Sequence, residues 1–150
     1  MIFPLQYNFV MKKLFLLTTL FGLFSRAECQ DLALAAPSGN ITAPVSGCGL
    51  TANEVVTVSI FNFGTTLLSG STFGVSYTLN GGAPVSEVVT LTSNFTQNSS
   101  FIYSFTAPVN LVTAGVYTIT ATVNIAGDIN AANDTYTNYQ VTNNSPSAGG

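Results

Sequence analysis

The feature that most constrains this chain is a series of short runs, from Asp31 onward, in which apolar and polar residues alternate. Alternation with a period of two is the pattern of a β-strand that is buried on one face, and no competing helical period occurs in this part of the chain. The runs recur at intervals of about 10 to 15 residues with turn residues between them, as in β-sandwiches. We therefore predict an all-β, immunoglobulin-like Greek-key sandwich of about seven strands.

The predicted strands differ in how strictly their residues alternate. The first run contains a Pro-Ser-Gly kink and is predicted to be an edge strand, and the mixed pattern of Val85–Leu91 also suits an edge. Asn80-Gly81-Gly82 predicts a tight hairpin, because these residues accept positive φ values. The runs are Leu32–Val45, Glu54–Asn62, Phe73–Leu79, Val85–Leu91, Phe101–Phe105, Gly115–Val123 and Thr135–Thr142.

Gly115–Val123 has the most regular alternation in the chain. Tyr117, Ile119, Ala121 and Val123 fall on one face, which we expect to be the buried one, and threonines fall on the other. Tyr117 stands where Greek-key sandwiches place a tyrosine corner, in which the hydroxyl hydrogen-bonds to upstream backbone. An ordinary core tyrosine is the alternative, and both interpretations make it structural.

The beginning of the chain has the pattern of a secretory leader. Met11-Lys12-Lys13 precedes the apolar run Leu14–Phe24, which is too short to span a bilayer. Residues 1–27 are interpreted as a signal peptide, with 1–10 as an over-extended gene start. Cleavage is expected after Ala27, or alternatively after Ala35. The sandwich is then residues 28–143, residues 144–150 are a flexible linker, and the protein is secreted or lies at the cell surface.

The charge pattern excludes several classes of function. Charged residues are 6% of the chain, and its three basic residues all precede the predicted cleavage site, so the exported domain keeps six acidic residues and no base. Such a domain cannot neutralise phosphates, which argues against nucleic-acid binding. Because His is absent too, no nucleophile has a base to activate it. Glu54, Glu87, Asp128 and Asp134 are interpreted as solvated acids rather than a catalytic pair, so we expect no enzymatic activity and no cofactor.

Two cysteines leave a disulfide open. Cys29 and Cys48 would form a bridge in an oxidising compartment if the kink at Pro37-Ser38-Gly39 brought them together. An extended chain between them would separate them by roughly 35 Å, which is beyond disulfide reach.

The segment Gly127–Thr135 is rich in oxygen-bearing side chains. Asp128, Asn130, Asn133 and Asp134 are candidate Ca²⁺ ligands. The interpretation we favour is that these side chains cap the backbone of their own loop, because only two are carboxylates and the spacing is not that of an EF-hand.

Aromatic residues suggest an alternative function. Phe61, Phe63, Tyr136 and Tyr139 are candidates for a carbohydrate-binding platform, although the chain lacks Trp and alternation buries about half of its aromatics. Exposed edge strands and loops are also candidates for adhesion to a surface protein or glycan.

A series of turn motifs resembles one known family. In order they are Ser46-Gly47-Cys48-Gly49-Leu50-Thr51, Glu54-Val55-Val56-Thr57-Val58, Asn62-Phe63-Gly64, Tyr77-Thr78-Leu79-Asn80-Gly81-Gly82, Gly115-Val116-Tyr117, and Gly127-Asp128 to Asn133-Asp134-Thr135. From Asp31 to Thr142 the chain resembles CARDB domains, immunoglobulin-like modules named for cell-adhesion-related bacterial proteins and found in large proteins exported by the type IX route. The resemblance implies a non-catalytic structural or adhesion module whose partners are neighbouring domains of the same polypeptide.

Overall fold

The computed structural model describes residues 29–144, which form an all-β sandwich of two sheets. A single 3-10 turn, Ala131–Asn133, interrupts the strands, and no helix among residues 29–144 is long and apolar enough to cross a membrane. The strands are β1 (Leu32–Ala33), β2 (Asn40–Ala43), β3 (Gly47–Cys48), β4 (Thr57–Asn62), β5 (Thr72–Leu79), β6 (Val85–Thr90), β7 (Ser100–Ser104), β8 (Gly115–Asn124) and β9 (Thr135–Asn144).

The two sheets have the arrangement of an immunoglobulin-like domain. One sheet is centred on β4, which pairs with β1 and β2 along one edge and with β7 along the other. The second sheet has the order β3-β9-β8-β5-β6. All pairings are antiparallel except that of β3 with β9, which is parallel. The predicted fold class is therefore confirmed.

The first predicted strand, Leu32–Val45, is wrong as a single edge strand. It divides into β1 and β2, which pair with β4, and the chain then crosses to the other sheet as β3. Pro37 and Pro44 stand at the two breaks and have no N–H to offer a strand pairing. Each of the other six predicted runs overlaps one strand.

The core lies between the two sheets and is built by alternation. The fully buried residues include Val56, which precedes β4, Val58 and Ile60 within β4, and Ile119 and Val123 of β8. Across the interior they meet aromatic rings, including Tyr77 and Phe105, whose centroids lie 4.8 Å apart. The predicted facing of β8 is confirmed, with Tyr117 partly buried at the end of the same face.

Three predicted local features are confirmed in the structure. Asn80 and Gly81 have φ values of 51° and 69° at the β5–β6 hairpin, and β6 is an edge strand. The Tyr117 hydroxyl donates to the Thr113 carbonyl oxygen at 2.6 Å, which is the upstream contact of a tyrosine corner.

The two ends of the sandwich are held by different parts of the chain. At the amino-terminal end, Cys29 accepts a hydrogen bond from Thr65 N, and a Cβ at Gly64 would lie only 2.6 Å from the Cys29 oxygen. At the carboxyl-terminal end, Cys48 pairs with Asn144. Both cysteines are free and exposed, so the possible disulfide between them does not form. The predicted leader, residues 1–27, lies outside the described residues. The predicted linker, residues 144–150, also lies outside them except for Asn144, which is the last residue of β9 rather than part of a linker.

Candidate functional site

The β8–β9 loop, which carries the candidate Ca²⁺ ligands, is bound to the first strand. The Asp128 carboxylate accepts hydrogen bonds from Leu32 N at 3.1 Å and from Asn130 N at 2.7 Å. Asn130 itself is exposed and makes no side-chain cap on the 3-10 turn. Asp128 thus caps backbone groups in its own loop and in β1, which is the role the sequence interpretation favours.

Asn133 and Asp134 continue the same attachment. Asn133 donates from Nδ2 to Asp31 at 2.9 Å, and its carbonyl oxygen accepts from Leu34 N and Ala35 N. Asp134 is buried, and its Oδ1 has no hydrogen-bond partner. Burial, together with the charges of Asp128 and Asp31, raises the pKa of Asp134 to about 6. The loop therefore holds a carboxyl group whose ionised form is poorly stabilised.

Within residues 29–144, no group of three or more His, Cys, Asp or Glu side chains is placed to hold a metal ion. The remaining acids are separately engaged: Glu54 accepts from Thr51 N and Oγ1 at 2.8 and 2.9 Å, near the carboxyl-terminal end. The structure thus brings Asp128, Asn133 and Asp134 to one loop beside β1, and it leaves Glu54 in a different one.

Glu87 closes the side of the sandwich where β6 and β7 face each other. Its carboxylate accepts from the Tyr103 hydroxyl, from Thr106 N and Oγ1, and from Ala107 N. Partial desolvation raises the pKa of Glu87, but these hydrogen bonds outweigh that effect and lower it to about 2. The sequence signal for this role was the position of Glu87 between Val85 and Val89 on the inward face of an edge strand.

The aromatic candidates form two separate pairs. Phe61 and Phe63 lie at the amino-terminal end with ring centroids 4.6 Å apart, and Phe63 is 42% exposed. Tyr136 and Tyr139 are 6.3 Å apart and lie opposite Ala121 and Ile119 in the register of the sheet, on the inward face. The Tyr139 hydroxyl also donates to the Pro44 carbonyl oxygen. Only the phenylalanine pair therefore presents an exposed ring.

A shallow groove crosses the outer face of the five-stranded sheet. It has a volume of about 310 Å³ and lies above Gly74, whose missing side chain leaves the space open. This groove was not predicted from the sequence, although a glycine in the middle of a strand is the signal that marks such a position. Its lining includes Gly74, Ser76, Ser86, Val88, Thr122 and Asn124.

The comparisons with known proteins concern the fold. No family model matches the sequence, and no curated protein matches it. A solution NMR structure of the CARDB domain of a Pyrococcus furiosus protein matches with 21% identity and a TM-score of 0.52, covering 78% of this chain and 97% of that domain. The chain has a CARDB-like fold.

A crystal structure of the same archaeal CARDB domain, described as a complex with di-metal ions, is also similar. Its identity to this chain is 19% and its TM-score is 0.48, with 79% of this chain and 97% of that domain covered. The match to the solution structure covers 97% of that domain, so the similarity extends over a whole module rather than a fragment of one.

Proposed function

We propose that this CARDB-like domain is a non-catalytic structural or adhesion module of a secreted or cell-surface multidomain protein. The observation that carries the proposal is that the chain enters and leaves at opposite ends of the sandwich. Leu32 pairs with Asn62, where β4 ends, whereas Asn144 pairs with Cys48 at the other end. The ten residues of β8 separate these ends by about 30 Å, at ~3.3 Å per residue.

This geometry suits a module that links two neighbouring domains, because a domain before it and a domain after it would lie at opposite ends and would not contact each other. Support for the lack of catalysis comes from the side chains: residues 29–144 contain no His, Lys or Arg. Asp128 and Glu54 cap loop backbone groups and Glu87 closes the sandwich, whereas Asp134 is buried with its Oδ1 unpaired.

The secreted location rests on the leader pattern of residues 11–27. We expect mass spectrometry of the exported protein to show a product that begins at Glu28. An exported product that retains Met1 or Met11 would contradict this part of the proposal.

The end-to-end arrangement can be measured with the two exposed cysteines. A fluorescent domain is fused after Gly150, and an acceptor dye is attached to Cys29 in a Cys48→Ser variant or to Cys48 in a Cys29→Ser variant. We expect weaker energy transfer to the dye at Cys29, because Cys48 lies beside Asn144. Equal transfer to both positions would contradict a module that separates its neighbours.

A carbohydrate-binding accessory module is the second candidate, and the Phe61–Phe63 pair, in which the Phe63 ring is exposed, favours it. Aromatic faces stack on the apolar faces of sugar rings, and the pair lies at the end of β4 and in its following loop, where Phe63 N donates to the Asp31 carbonyl oxygen. Affinity electrophoresis with neutral polysaccharides tests this function. The proposal is supported if the unaltered protein is retarded, if Phe63→Ala abolishes the retardation, and if the equally exposed control Val55→Ala keeps it. An unaltered protein that is not retarded would reject this function.

A further inference from the structure

Strand β7 leaves one edge of the four-stranded sheet without a partner. Within residues 29–144 it pairs with β4 alone. Two backbone hydrogen bonds that flank β7 show which of its residues face β4: Asn62 N donates to Ser99 O, and Phe105 N donates to Val56 O. The backbone groups of odd-numbered residues along β7 therefore face β4. Since these groups alternate along a strand, those of Ser100, Ile102 and Ser104 face outward.

This edge lacks the features that usually prevent strand pairing. Native proteins protect edge strands with lysine, proline, bulges or inward-pointing charges. In the other sheet, the part of β9 that β3 does not cover has an irregular register with β8 and holds Asn138 at a φ of 60°, and β6 carries the inward Glu87. In contrast, β7 has a regular register along its whole length, has no charged residue, and exposes 68% of Ile102.

The sequence of β7 is nearly symmetric about its central residue. It reads Ser-Phe-Ile-Tyr-Ser, so reversal about Ile102 exchanges serine with serine and one aromatic residue with another. We propose that β7 is a self-association edge, at which a second copy of this chain pairs antiparallel about a two-fold axis at Ile102. The inference goes beyond the proposed linking function and does not depend on it.

Antiparallel pairing in this register satisfies every outward backbone group of the strand. Ile102 would exchange two hydrogen bonds with its own counterpart, and Ser100 would exchange two with Ser104 of the other copy. Phe101 and Tyr103, which are partly buried at the edge of the core, would lie opposite one another. A two-fold contact of this kind uses the same surface on both copies, so it closes at a dimer.

Side-chain chemistry also favours a second copy over an unrelated charged partner. The exposed Ile102 side chains would meet across the axis as a cross-strand pair, and such pairs are the stabilising unit of a sheet. Because β7 contains no charge, neither copy would place like charges opposite each other, although the domain as a whole is acidic.

Sedimentation of the purified product of the full chain over a range of concentrations tests the proposal. We expect the mass to rise from that of a monomer to that of a dimer as concentration increases, and Ile102→Lys to remain monomeric throughout. The matched control is Val88→Lys on β6, the edge strand of the five-stranded sheet, where Val88 is 73% exposed, and it should dimerise like the unaltered chain. Circular dichroism and melting establish that both variants remain folded.

Cross-linking tests the register independently. In a Cys29→Ser, Cys48→Ser background, Ile102→Cys should form an intermolecular disulfide on oxidation, because hydrogen-bonded antiparallel pairs place their Cα atoms about 5.5 Å apart. Val88→Cys should not. An unaltered chain that stays monomeric at every concentration, a dimer that survives Ile102→Lys, or equal cross-linking at both positions would overturn the proposal.

Discussion

At the scale of single residues, Glu87 has the largest set of contacts among the acidic side chains of the domain. It binds the phenol of Tyr103 and two consecutive backbone N–H groups, those of Thr106 and Ala107. Hydrogen bonds to a carboxylate stabilise its ionised form. An inward acid on an edge strand therefore joins β6 to the segment that follows β7, and it also keeps that edge from pairing freely.

Replacing Glu87 with Gln should change the acid sensitivity of the fold. The folded-state pKa of about 2 lies below the ordinary value of 4.5, so the ionised group stabilises the fold above pH 4.5 and this contribution is lost as the pH falls through 2. We expect Glu87→Gln to lower the free energy of unfolding at pH 7 by roughly 0.5 to 1 kcal/mol, because the carboxylate is screened by solvent, and to flatten its decline below pH 4.5. Urea unfolding at several pH values measures both effects.

A Tyr103→Phe variant provides the comparison for Glu87. It removes one of the hydrogen bonds to the carboxylate and leaves those from Thr106 and Ala107 in place. Its loss of stability should therefore be smaller than that of Glu87→Gln. If Glu87→Gln kept the full acid-dependent decline of the unaltered protein, this account of Glu87 would be wrong.

At the scale of elements, β8 provides a test of the buried face. Ile119 is fully buried, whereas the side chain of the adjacent Thr120 points to the other face. Ile119→Ala should destabilise the domain by about 2 to 5 kcal/mol because it leaves a cavity. Thr120→Ala should cost roughly 0.5 kcal/mol or less, and thermal unfolding of the two variants compares them. Similar small losses would show that the facing of β8 is misassigned.

Elements with regular alternation could be predicted from the sequence, because one buried face imposes one pattern. β4, β5 and β8 are of this kind. The division of Leu32–Val45 could not be predicted in the same way. The sheet to which each of β1, β2 and β3 belongs is determined by pairing with β4 or β9, which are distant in the sequence. Tertiary pairing, rather than local propensity, decides where such short strands lie.

The polar contacts that hold the ends of the sandwich were also hidden from pattern analysis. Asn143 is buried, accepts from Gly49 N and Leu50 N, and donates to Leu111 O. The alternation pattern shows that this inward position is polar. It does not show the hydrogen-bond partners of the Asn143 side-chain amide, which come from two other segments. For the candidate Ca²⁺ loop, the partner that the sequence did not reveal was β1, to which Asp128 is hydrogen-bonded.

At the scale of the whole molecule, the charged side chains are all of one sign. Every charged side chain in residues 29–144 is acidic, and Asp134 is held beside Asp128 and Asp31 with its pKa raised. Repulsion among like charges destabilises a compact state and is screened by salt. The domain should therefore become more stable as ionic strength rises at neutral pH.

This charge balance makes a matched comparison of NaCl and CaCl₂ informative. At equal ionic strength we expect the same modest rise in melting temperature from both salts, because Asp128 is engaged in capping Leu32 N and Asn130 N. Asp128→Ala should lower the free energy of unfolding by about 1 to 3 kcal/mol in either salt, since the buried Leu32 loses its hydrogen-bond acceptor. Specific Ca²⁺ binding predicts something different: stabilisation by about 2.7 kcal/mol at 100 times the dissociation constant, reversed by chelator and absent in Asp128→Ala. That pattern would show that the loop is a cation site rather than a cap on the first strand.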